Sequence, residues 1–155
     1  MKRYLAGSAV AVLLTLGSAT AGAQAMAGMQ MGQDPYKEGP VVVVSSIRTN
    51  PGQTANYMKY LFGDYAKQMN AEKAAGIIMD WGVLTATPRS PDDPDIYLTV
   101  TYANMAAMDG LSDRVRPLMQ KTMNMTPEQA AAGTAARGTM RRQIGAQILR
   151  AMVPR

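Results

Sequence analysis

Four consecutive valines, Val41 to Val44, follow Pro40 and run on through Ser45, Ser46, Ile47 and Arg48 to an Asn50-Pro51-Gly52 turn. β-Branched side chains are stiff at χ1 and pack best on a pleated surface, so the run predicts a buried strand closed by the turn. Side chains alternate along a strand, which puts Val42 and Val44 on one face and Val41, Val43 and Ile47 on the other. Both faces of the sheet built on this strand are therefore apolar. If helices cover one of them, the second must be solvated or paired.

The residues that follow supply the helices and the rest of the sheet. From Gln53 to about Ala75, Met58, Leu61, Phe62, Tyr65 and Met69 fall at i, i+3, i+4, i+7 and i+11, one face of a helix that Gly76 stops. Ile77 to Ala86 predicts a second strand, with Ile77, Met79, Trp81 and Val83 on a common face. Residues 87–95, with three prolines and three aspartates, are a loop. Ile96, Leu98, Val100 and Tyr102 then alternate with Tyr97, Thr99 and Thr101 as a half-buried third strand, joined to the second as a long-looped hairpin. Asn104 is placed to cap a helix from Met105 that breaks near Gly110 and before Pro117. Thr126-Pro127-Glu128-Gln129 has the form of a capping box opening a further helix toward Arg142. Ile148 to Val153 is the closing strand. The order is β-α-β-β-α-β, an α+β fold with an extra C-terminal helix before the last strand.

The start of the chain is an address. Met1, Lys2 and Arg3 form a charged region, Leu5 to Leu16 an apolar and small-residue core, and Ala21-Gly22-Ala23 or Ala23-Gln24-Ala25 a cleavage site. Residues 1–25 read as an export signal, too short in its apolar run to span a bilayer, so a periplasmic or secreted protein without membrane attachment after cleavage is expected. Residues 26–39, rich in Gly, Gln and Met, read as a flexible leader, and 40–155 as one domain.

The chain of 155 residues has no His and no Cys. A thiol nucleophile, a disulfide, an imidazole base and a His- or Cys-ligated zinc or haem are thereby excluded, and no cofactor is announced. Residues 112–155 hold eight basic and two acidic side chains. No aromatic residue is interleaved with these arginines as single-strand stacking requires, so the segment reads as a solvated basic face and no nucleic-acid partner is expected.

Several features together, namely the strand ending in a Pro-Gly turn, Ala75-Gly76-Ile77 leading into a Trp-containing strand, the segment from Pro88 to Leu98, and the helix start from Tyr102 to Asp109, resemble uncharacterised exported members of the dimeric α/β-barrel superfamily. The resemblance covers residues 40–153. It implies a ferredoxin-like protomer with a four-stranded antiparallel sheet, helices on one face, and a sheet that packs against that of a twin as a homodimer. It fixes no activity, and no active-site residue carries over by position, so no catalytic residue is assigned. The missing axial histidine sets the chain apart from the haem-dependent branches.

Three groups of residues are candidates for a site. Tyr60, Tyr65, Trp81, Tyr97 and Tyr102 could line a cleft where a flat apolar or aromatic molecule stacks while phenol groups orient it, although core packing accounts for the same rings. Asp92, Asp93 and Asp95 are the raw material of a cation site, but their spacing fits no calcium loop and describes a stiff solvated turn, so no metal is expected there. Met26, Met29 and Met31, with Met119, Met123 and Met125, are thioethers at short spacing, ligands that select Cu(I), but the histidine that usually accompanies them is absent, and core filling plus a disordered leader is the simpler account. The resulting expectation is a dimeric, exported binding protein for a small apolar or aromatic molecule. The alternative is an enzyme resembling cofactor-independent monooxygenases acting on an aromatic substrate.

Overall fold

The computed structural model describes residues 34–155. Residues 1–33, on which the expected export signal and most of the expected leader fall, with Met26, Met29 and Met31, lie outside the described residues. Four strands, β1 (Tyr36–Thr49), β2 (Asp80–Thr85), β3 (Ile96–Tyr102) and β4 (Arg141–Pro154), form one antiparallel sheet in the order β2-β3-β1-β4. Between β1 and β2 run α1 (Thr54–Tyr60), a π-helical turn (Leu61–Tyr65) and α2 (Ala66–Ala74). Between β3 and β4 come a 3-10 turn (Met105–Met108), α3 (Leu111–Met123) and α4 (Pro127–Met140). This is the expected α+β order with a four-stranded antiparallel sheet and an additional helix before the last strand.

Register places the core on one face of the sheet. Val41 faces Tyr102, Val43 faces Val100 and Ile47 faces Ile96 across β1 and β3, while on β2 Trp81 continues the row of Val100 and Val83 lies opposite Leu98 on the same face. Tyr57 and Leu61 seat on Ile47 and Ile96 in one cluster, and Met69 joins Ile77, Ile78 and Tyr102 in a second. Leu111, Val115 and Leu118 of α3, at i, i+4 and i+7, close over the second cluster.

Local signals ended the elements where the sequence predicts. Gly76 takes φ 68° after α2, and the Asn104 side chain accepts from the Ala107 amide at 2.9 Å. The capping box of Thr126 and Gln129 is formed, with Pro127 at the first turn of α4.

Four expectations are corrected. Phe62 is not on the buried face of its helix but 65% exposed, because the π-helical turn delays the chain between Leu61 and Tyr65 and rotates the following face. Tyr57 and Glu72 are buried along with Leu61 and Met69. Met79 is exposed while Ile78 is buried, since β2 begins only at Asp80 and residues before it are not alternating. Pro117 lies inside α3 without ending it. Finally, β1 and β4 are each 14 residues long, reaching back to Tyr36 and Arg141, because each provides the other's hydrogen bonds along nearly its whole length.

Among the described residues, no helix lies upon the opposite face of the sheet. Register puts Val42, Val44, Tyr97, Thr99, Thr101, Leu84 and Leu149 there. Leu84 is 57% and Leu149 49% exposed.

Candidate functional site

Helices α3 and α4 meet at a short connection. Asn124 ends α3 with φ 50°, a left-handed conformation that asparagine tolerates better than most residues, and Thr126 caps α4 two residues on. The V so formed lies beside α1, the π-helical turn and α2, and between them opens a cleft of about 540 Å³, a volume within the range of small-molecule sites.

Each element contributes by helical spacing. Met119, Gln120 and Met123 on α3 share a face with Arg116, next to the stripe that seals the core. Ala130, Gly133, Thr134 and Arg137 on α4 recur at three- and four-residue intervals. Met125 and Met140 close the two ends of α4, and Tyr60, Asp64 and Gln68 face them from the first helical run. Four thioethers, an aromatic ring and small side chains make the lining chiefly apolar and deformable, which suits a ligand of irregular outline.

Polar groups are few and placed at the walls. The Arg137 guanidinium lies 5.3 Å from the centre of the Tyr60 ring and donates to Thr134 Oγ1 at 2.7 Å. Burial holds the Tyr60 phenol above its ordinary pKa, an effect that the neighbouring Arg137 and Arg141 charges oppose and Asp64 reinforces. The phenol is thus a neutral hydrogen-bonding group at physiological pH. Next to it Tyr57 stacks at 5.9 Å, with the Arg141 guanidinium 5.9 Å over its ring and Arg141 Nε buried without a hydrogen-bond partner among the described residues.

Of the five rings expected to form a site, only Tyr60 lines the cleft. Tyr65 is packed between Tyr60, at 6.4 Å, and Trp81, which it meets edge-on at 5.8 Å. Trp81 is half-buried against the second core cluster, and Tyr102 is buried within that cluster. Tyr97 sits on the open face of the sheet. Rings from Tyr57 through Tyr60 and Tyr65 to Trp81 therefore form a continuous row, which meets the cleft at Tyr60. The methionines of α3, singled out by spacing alone, belong to the cleft together with Met140, which sequence spacing did not join to them.

The loop aspartates each have a separate partner. Asp92 pairs with Arg142 at 2.7 Å, and Asp93 accepts the backbone N–H groups of Arg89 and Ser90. Asp95 accepts the Thr49 amide and hydroxyl and so ties the end of β1 to the loop. Among the described residues no helix is long and apolar enough to cross a membrane.

No protein-family model matches the chain, and no curated protein matches it. Among solved structures, HapK from Hahella chejuensis is similar with a TM-score of 0.46 and 13% identity, over 70% of this chain and 90% of HapK.

Proposed function

We propose that this is an exported, homodimeric binding protein of the dimeric α/β-barrel kind, freed of residues 1–25, which holds a small apolar or aromatic molecule in the cleft between its two helical layers. The observation that carries this reading is the cleft itself. Four methionines and the Tyr60 ring face a volume sufficient for a small ligand, and helices that served only to cover the sheet would close upon each other there. Dimerisation is supported by the bare face of the sheet, where Val42, Val44, Tyr97, Leu84 and Leu149 lie together with Thr99 and Thr101. A contiguous apolar patch of this kind marks an interaction surface, and an identical sheet is its self-complementary partner.

Native mass spectrometry of the full chain exported by its own host tests both parts. The expected spectrum shows twice the protomer mass plus a retained small molecule. A bare monomer in the presence of excess cell extract would overturn the reading. Incubation with phenolic compounds while dissolved oxygen is followed separates binding from oxygenation, and no oxygen uptake is expected.

A further inference from the structure

Arg116 and Arg137 bring two cations to the walls of a chiefly apolar cleft, one from α3 and one from α4. Neither has a carboxylate within ion-pair distance among the described residues, whereas Arg48, Arg89, Arg142 and Arg150 each do. Arg137 is held in place by the Tyr60 ring and the Thr134 hydroxyl, which leaves most of its donors unused. A guanidinium remains charged at every working pH. Asp64, the single carboxylate at the cleft, pairs with neither, so these walls carry one net positive charge.

A neutral hydrocarbon filling this cleft would take water from the half-buried Arg137 guanidinium and return no partner to it or to Arg116, which is exposed at the wall. A ligand with one anionic head returns charge-assisted, geometrically matched hydrogen bonds and still lays its body on the thioethers. We infer that the cleft takes a monoanionic amphiphile, an aromatic or aliphatic acid whose head is met by Arg116 and Arg137 and whose apolar body rests on Met119, Met123, Met125 and Met140. This rests on the reading of the cleft as a ligand site, and it adds the charge and the polarity of what enters.

Two fluorescent probes that share a ring system test it: anilinonaphthalene sulfonate, which is anionic, and N-phenylnaphthylamine, which lacks the sulfonate. Each is titrated into the full chain and into Arg116→Gln, Arg137→Gln and Ala130→Trp, the last filling the cleft from α4, with a thermal melt confirming that each variant is folded. The sulfonate is expected to bind about tenfold more tightly than the uncharged probe, and either glutamine variant to remove that advantage while leaving the uncharged probe unchanged. Ala130→Trp should abolish both. Equal binding of the two probes, insensitive to either arginine but lost in Ala130→Trp, would overturn the anionic head and leave the cleft as a site. Binding of both probes unaffected by Ala130→Trp would overturn the cleft reading and the inference with it.

Discussion

The Trp81 indole N–H donates to the Asn70 side-chain oxygen at 3.0 Å, joining the second strand to the helical layer above it. The same indole meets Tyr65 edge-on, so one side chain links β2, α2 and the end of the π-helical turn. Because Trp81 is half-buried, Trp81→Ala should destabilise by about 2–3 kcal/mol, less than truncation of a fully enclosed aromatic. Trp81→Phe keeps the ring contact and loses the hydrogen bond, for a cost of about 1 kcal/mol that Asn70→Ala should match and not add to. Urea titrations of the two single variants and the double variant check this, and full additivity would show that the bond contributes nothing.

Glu72 is buried in α2 beneath Tyr65 and Tyr102, and burial holds its carboxyl above the ordinary value of 4.5 although a hydrogen bond from Gln68 opposes the shift. A raised native-state pKa means that the folded protein binds the proton more tightly than the unfolded chain does. The contribution of Glu72 to stability is therefore fully present below pH 4.5 and lost as pH rises from there through the native value. Glu72→Gln keeps the acceptor for Gln68 and removes the charge, so its melting temperature should exceed that of the parent at pH 7 and converge with it at pH 4. Melts at those two values give the answer, and a variant less stable at pH 7 would contradict it.

Leu149 lies on the open face of β4, half exposed beside Val42. If that face pairs with its twin, Leu149→Asp places two carboxylates in an apolar interface and should shift the protein to monomer at micromolar concentration. Sedimentation velocity reads this directly, with circular dichroism expected to be unchanged.

Gly82 opposes Thr99 across β2 and β3, and a Cβ at Gly82 would lie 2.8 Å from Thr99 Oγ1. Gly82→Ala should cost about 1–2 kcal/mol, and Thr99→Ala in the same chain should recover most of it by removing the clashing hydroxyl. Denaturant midpoints of the single and double variants test the coupling.

The fold was legible in the sequence wherever its cause was local. The strand of valines, the alternation from Ile96 to Tyr102, the stop at Gly76 and the caps at Asn104 and Thr126 depend on φ/ψ preferences and side chain to backbone bonds within a few residues, which the sequence states directly. Even the separation of Tyr97 from Tyr102 was implicit, since an odd interval on a strand puts two rings on opposite faces and no single pocket can take both. What the tertiary structure decided came from distant partners. Lys37 and Glu38 have no strand signal of their own and are strand because β4 supplies their ladder. Phe62 is outside because one turn is wound as π, and Met140 joins the α3 methionines because α4 folds back at Asn124. The cleft is assembled from side chains as much as 80 residues apart, Tyr60 and Met140, and it exists only when two helical layers pack without closing, a balance of contacts that no short window of sequence contains.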